Sequence, residues 1–138
     1  MNRKGFTLVE LVATIALLAI IAIISFISIT GVINQSKVSN CENLIKSIKS
    51  AAKDYVSDNR YKTAFGSNSI TITAQDLING KYLSSPITNP FDNNSNIPAG
   101  SIQITIKLAE DYTVSTENDS IIIKNATGDR INCSNGEW

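Results

Sequence analysis

The sequence predicts an α+β protein, in which a long N-terminal helix, membrane-spanning in its first half, packs on a C-terminal antiparallel sheet. Two patterns lead to this prediction. From Leu11 to Ile33 there is no charged residue over 23 positions, and about 20 apolar residues suffice to cross the hydrocarbon core of a bilayer as a helix. The last forty residues contain short runs of alternating apolar and polar residues, which are typical of half-buried strands.

The second half of the predicted helix carries a narrow apolar stripe. Its members recur at spacings of three and four residues, which place them on one helical face; they are Val38, Cys41, Ile45, Ile48, Ala52 and Tyr55. We predict one helix from Phe6 to about Asn59, which is about 80 Å long at 1.5 Å per residue. A stripe that packs on the strands is a simpler interpretation than a surface for a cofactor or a partner helix.

The middle of the chain predicts short elements and loops. Residues 59–68 read as a linker, and residues 69–73 alternate as a short strand. Thr73 is a suitable N-cap for a short helix over residues 74–79, which Gly80 would end. Residues 81–98 form a predicted loop that is rich in Ser and Asn and contains the three prolines.

The C-terminal region predicts a meander of four antiparallel strands, over residues 101–108, 112–116, 120–124 and 130–133. The connections between these runs are short, and short turns join antiparallel neighbours. Gly128 marks the last of the turns. In the first strand Ile102, Ile104, Ile106 and Leu108 share one face. We expect this face to pack on the helix stripe.

Composition excludes several classes of function. Twelve basic and twelve acidic residues balance, and no basic run is present, so composition does not support a nucleic-acid surface. The chain has no His, which removes the commonest general base and transition-metal ligand. We therefore predict no catalytic residues, no cofactor and no metal. The acids Glu110-Asp111 and Glu117/Asp119 lack an EF-hand spacing, so solvated turn charges are favoured over a calcium site.

The charges at the N-terminus predict the topology. Arg3 and Lys4 precede the apolar run, and the positive-inside rule places them in the cytoplasm, so the later residues face outward. Cys41 and Cys133 are the two cysteines and permit one intramolecular pair. An outward-facing domain favours a disulfide between them, and two buried free thiols remain the alternative.

The N-terminus also contains an unusual acid. A leader with two cations ends at Gly5, Phe6 opens the apolar run, and Glu10 interrupts it. A carboxylate inside a membrane span costs about 2.5–3.5 kcal/mol on insertion scales. Because nothing else in this segment pairs with it, we expect Glu10 to find its partner on another chain, which indicates assembly. A bare signal-anchor would explain the cations and the apolar run, but not Gly5-Phe6 with Glu10 at this spacing.

Residues 4–10, Lys-Gly-Phe-Thr-Leu-Val-Glu, closely resemble the processing and assembly signature of type IV pilins and pseudopilins. The resemblance implies that a prepilin peptidase cuts between Gly5 and Phe6. It implies N-methylation of Phe6, and subunit assembly in which Glu10 meets the Phe6 amine of a neighbour. Residues 1–5 would be the leader, residues 6–33 the transmembrane and filament-core helix, and residues 34–138 the globular pilin head of the pilin fold.

The resemblance also implies a function. We expect a structural subunit that is held in the cytoplasmic membrane as a prepilin and then assembled by the pilus machinery into a homo- or heteropolymeric filament at the cell surface. Adhesion, twitching motility and DNA uptake are its possible uses. A pseudopilin of a type II secretion or competence machine is the alternative, and a membrane-anchored enzyme or sensor is a third. Many type IV pilins place both cysteines around a C-terminal loop, and Cys41 departs from that pattern.

Overall fold

A computed structural model describes residues 5–59, 68–116, 119–136 and 138; of residues 26–28 and 30 it describes the backbone alone. Helix α1 (Leu8–Asn59) is followed by β1 (Ser69–Thr73), α2 (Ala74–Asn79), β2 (Ile87–Thr88), β3 (Asn96–Ile97), β4 (Gln103–Lys107) and β5 (Ile121–Lys124). The chain divides into two compact units, Met1–Ser36 and Lys37–Trp138. Most of the predicted linker, residues 60–67, lies outside the described residues.

The C-terminal unit packs the second part of α1 on an antiparallel sheet, which confirms the predicted α+β class. The predicted stripe faces the core: Cys41, Ile48 and Ala52 are fully buried. Opposite them lies a face of buried isoleucines from the sheet and from the residue before β4: Ile102, Ile104, Ile106, Ile121 and Ile123. Each such side chain contributes about 1.5–3 kcal/mol when fully buried, so this face accounts for much of the stability of the unit.

The sheet is not the predicted meander. Its strand order is β1-β4-β5, and both pairings are antiparallel. Strand β1 pairs along its whole length with β4, with Ile70 opposite Ile106. Residues 69–73 were correctly predicted as a strand, but their place in this sheet follows from a pairing that joins segments far apart in sequence.

The predicted strand at residues 112–116 was wrong. Tyr112 has a left-handed backbone (φ 60°), and the Asp111 carboxylate accepts bonds from the N–H and hydroxyl of Thr113 at 3.0 and 2.6 Å. These bonds make a local turn, which competes with strand pairing. Val114 makes an isolated bridge to Leu108. No side chain of the run is buried, whereas β5 buries Ile121 and Ile123 and therefore takes the place beside β4.

The predicted fourth strand at residues 130–133 was also wrong. Arg130 makes an isolated bridge to Lys124, and the chain then enters a 3₁₀ turn over Cys133–Asn135. The Asn132 side chain accepts a bond from the backbone N–H of Ser134 at 3.0 Å, which caps this turn. Gly128 lies in the predicted turn, and its φ of 89° is one that glycine adopts without strain.

Helix α2 begins and ends at the predicted residues. Thr73 and Asp76 form a reciprocal capping box at its start, and Gly80 is its C-cap. The loop beyond it is more ordered than predicted, because β2 and β3 pair antiparallel within it, with Ile87 opposite Ile97.

Candidate functional site

The N-terminus of α1 is held by a hydrogen-bonded box between Thr7 and Glu10. The Oε2 atom of Glu10 accepts bonds from the Thr7 backbone N–H at 2.9 Å and from the Thr7 hydroxyl at 2.8 Å. The Thr7 hydroxyl in turn accepts a long bond, 3.4 Å, from the backbone N–H of Glu10. This is the arrangement of a capping box, which satisfies N–H groups that have no partner at the start of a helix.

The expectation that nothing in its own segment pairs with Glu10 was therefore wrong. Thr7 is a neutral partner, however, and no cation among the described residues pairs with the Glu10 carboxylate. Oε1 of Glu10 makes no hydrogen bond with the described residues, and the side chain is exposed. The Thr-x-x-Glu spacing at a helix start is the signal by which this box could have been predicted.

Gly5 and Phe6 lie just before the helix and are exposed. Phe6 exposes 73% of its surface. A Cβ added at Gly5 would meet no atom within 4 Å. The peptide bond between the two residues is therefore open to approach, and a side chain at Gly5 is compatible with this local structure.

The N-terminal part of α1 is an apolar helix whose described side chains are exposed. Leu8–Ser25 has a mean hydropathy of 2.7, and none of it is buried. Leu8 exposes 80% and Ile24 63% of their surfaces. By length and composition, it is the one helix among the described residues that is suited to cross a membrane. A continuous apolar surface of this kind marks contact with lipid or with other protein.

Polar side chains inside this segment bond to the backbone of their own helix. The Thr14 hydroxyl donates to the carbonyl of Leu11 at 2.8 Å, and the Ser25 hydroxyl donates to that of Ile21 at 2.9 Å. In hydrocarbon, polar groups must be satisfied within the protein. The hydroxyls of Thr14 and Ser25 meet this condition, whereas the carboxylate of Glu10 carries a charge.

The two cysteines are joined by a disulfide in the structure. Cys41 and Cys133 have Cα atoms 5.7 Å apart and are separated by 92 positions in sequence. They are the pair that the sequence favoured. The bond links the middle of α1 to the C-terminal 3₁₀ turn, and both residues are buried.

The acidic turns make local contacts. Asp119 forms a salt bridge with Arg130 at 3.0 Å, and both side chains are exposed. Asp111 bonds to Thr113, and Glu117 lies outside the described residues. Among those described, no group of three His, Cys, Asp or Glu residues is suited to hold a metal ion.

Comparison with known proteins identifies the N-terminal segment. Residues 1–26 match the family model for the prokaryotic N-terminal methylation motif. No curated protein and no solved structure matches the chain significantly. The matched range contains Gly5, Phe6, the Thr7–Glu10 box and the apolar helix, and the C-terminal unit has the helix-on-sheet arrangement expected of a pilin head. The chain thus carries the prokaryotic N-terminal methylation motif characteristic of type IV pilins and pseudopilins, on a pilin-like α+β architecture.

Proposed function

We propose that this protein is the structural subunit of a type IV pilus-like filament. A prepilin peptidase removes residues 1–5, and the helix that follows carries the subunit from the membrane into the fibre. The observation that supports this most directly is the exposed apolar helix Leu8–Ser25, with the carboxylate of Glu10 near its start, which pairs with no cation among the described residues. Both features need a partner outside the chain.

Processing supplies a charge that complements Glu10. Cleavage after Gly5 frees the amine of Phe6, and N-methylation leaves that amine cationic. The Thr7 bonds engage Oε2, so Oε1 is available for the Phe6 amine of a neighbouring subunit. Removal of one member of a buried charge pair typically costs about 3–5 kcal/mol.

The pairing of Glu10 with the Phe6 amine of a neighbour also explains why the apolar helix moves from the membrane into the fibre. Lipid tails are as apolar as leucine, so an apolar helix gains no hydrophobic free energy when it moves from lipid into a helix bundle. Packing between helices and the pairing of Glu10 must therefore favour the fibre. In lipid the same carboxylate carries a cost of about 2.5–3.5 kcal/mol, which the pairing relieves.

Residues 34–138 form the outer part of the filament in this proposal. The membrane orientation with Arg3 and Lys4 inside places them outside the cytoplasm. The buried disulfide between Cys41 and Cys133 is consistent with that oxidising location.

The test is expression of the full chain with a prepilin peptidase and a pilus assembly system, followed by electron microscopy and mass spectrometry of sheared filaments. We expect filaments whose subunits begin at N-methylated Phe6. Subunits that retain Met1 or Asn2 in the fibre would overturn the proposal. Fibres confined to the cell envelope, with loss of protein secretion when the chain is deleted, would assign it to a pseudopilus instead.

Gly5→Val provides the matched control. Because a Cβ added at Gly5 meets no atom within 4 Å, we expect this variant to keep the local structure and to test recognition by the peptidase. We expect an unprocessed membrane protein that forms no filaments.

A further inference from the structure

The second part of α1 carries opposite charges on its two flanks. Lys49 and Lys53, here called the lysine flank, lie to one side of the buried stripe, and Asp54 and Asp58, the aspartate flank, lie to the other. At about 100° per residue, the two flanks point about 140° apart around the helix axis. The helix therefore presents one cationic and one anionic surface in two different directions.

Each flank places like charges four residues apart. Residues at this spacing are neighbours on a helix surface, and like charges there repel each other. Neither flank is neutralised within the described chain, where the one salt bridge joins Arg130 to Asp119. Lys49 lines the cleft that contains these two residues, but the Asp119 carboxylate is already paired. The Tyr82 hydroxyl donates to Asp58 at 2.9 Å, and this partner is a neutral phenol rather than a cation.

The two flanks match each other in spacing. Lys49 and Lys53 are four residues apart, and so are Asp54 and Asp58. In two parallel copies of α1, a single axial shift of five residues brings both lysines level with both aspartates. At 1.5 Å per residue that shift is about 7.5 Å. One displacement thus forms two ion pairs.

We propose that the lysine flank of one subunit docks on the aspartate flank of a second copy of this chain, with the two helices parallel and staggered by about 7.5 Å. This inference rests on the proposed function, which supplies the parallel arrangement of subunits. The contact is heterologous, because each copy uses different surfaces toward its two neighbours. Repetition of such a contact generates an open helical polymer rather than a closed pair.

The decisive experiment exchanges charges in the full chain and measures the yield of sheared filaments. Lys49→Glu and Asp54→Lys should each lower the yield on the order of five-fold, since each replaces an attraction by a repulsion at every subunit contact. The double variant should restore most of the yield, because the exchanged charges of one copy then face each other across the contact with the next. Lowering the salt concentration should enlarge the differences, since exposed charges are screened by salt.

Lys46→Glu is the matched control. It lies on the same side of α1 and makes the same change in net charge, but the proposed stagger places it opposite Ala51, which is buried. Its filament yield should equal that of the wild type. The Lys49→Glu variant relieves the repulsion of Lys53 within its own helix, but it also brings a second carboxylate into the cleft that contains Asp119. Thermal melting of each subunit in detergent therefore checks its stability.

The outcomes separate the two proposals. No filaments from the wild-type chain would overturn the proposed function. Wild-type filaments together with unchanged yield from Lys49→Glu or Asp54→Lys would overturn the charge contact alone. A double variant with no more filaments than either single variant, or a Lys46→Glu variant as defective as Lys49→Glu, would do the same.

Discussion

Loss of the disulfide should destabilise the C-terminal unit strongly without changing its fold. Cys133→Ala removes the link between α1 and the 3₁₀ turn at Cys133–Asn135. Because the bond spans 92 positions, its removal restores a large amount of chain freedom to the unfolded state. In the chain-entropy treatment, a loop of that length corresponds to about 4.6 kcal/mol at 25 °C, and native disulfides in small domains measure about 2–5 kcal/mol.

The effect on melting follows from the size of the unit. For a domain of this size, each kcal/mol shifts Tm by about 4–8 °C. A loss of about 2–4 kcal/mol therefore lowers Tm by roughly 8–32 °C. The core formed by Ile48, Ile104 and Ile106 remains in place, so the variant should still fold at low temperature.

The assay is thermal melting of the full chain in detergent, followed by near-ultraviolet circular dichroism. Cys41→Ala, Cys133→Ala and the double variant should show the same Tm, since each removes the same cross-link and the effects are not additive. Non-reducing peptide mapping should recover the two cysteines in one linked peptide. Free alkylation of both thiols in the native wild type, or a change in Tm below about 2 °C, would refute the reasoning.

Three further predictions concern Glu10, Thr7 and Tyr82. Glu10→Ala should leave a processed, folded and membrane-retained subunit that enters fibres poorly when expressed alone, as measured by the yield of sheared filaments. The yield of Glu10→Gln should fall between that of Glu10→Ala and that of the wild type. A wild-type yield from Glu10→Ala would show that this acid takes no part in docking. Thr7→Val, which deletes the hydroxyl of the Thr7–Glu10 box, should lower the filament yield several-fold, whereas Thr7→Ser should give the wild-type yield. Equal yields from Thr7→Val and the wild type would show that the box plays no part in assembly. The hydrogen bond to Asp58 raises the pKa of Tyr82 above its usual value of 10.0. The folded state therefore favours the protonated phenol, and this contribution to stability is present below about pH 10 and lost as pH rises through the folded-state pKa. Denaturant melts at neutral pH and at about pH 11 should show that Tyr82→Phe loses less stability on alkalinisation than the wild type; equal losses would contradict the assigned cause.

The elements that were predicted correctly from the sequence are defined by residues that lie close together along the chain. The apolar run, the 3-4 stripe of α1 and the Thr73 cap are patterns within a few turns of helix, and helical periodicity alone defines which face is buried. The alternation of residues 103–107 likewise reports which side chains point to one face. The N-terminal motif is also local, because Gly5, Phe6 and Glu10 lie close together in the sequence.

The arrangement of the strands was decided by tertiary structure. Strand pairing joins distant segments, and β1 reaches β4 across α2 and the β2–β3 loop. Residues 112–116 had an acceptable strand pattern, but they contain a single aliphatic side chain, Val114. The hydrogen bond from the Thr113 N–H to the Asp111 carboxylate forms a turn there instead. Strand β5 pairs with β4 in place of residues 112–116, because β5 buries two isoleucines there.

The sequence by itself determined that a long helix bears an apolar first half, an acid near its start and a core-facing stripe, since these properties follow from residue type and helical spacing alone. The Thr-x-x-Glu spacing at the helix start is likewise local, and it permits the hydrogen bond between Thr7 and Glu10. Only the tertiary structure decided that the sheet runs β1-β4-β5. Strand order depends on which distant segments bury the most apolar surface together, and the order of residues along the chain does not specify that choice.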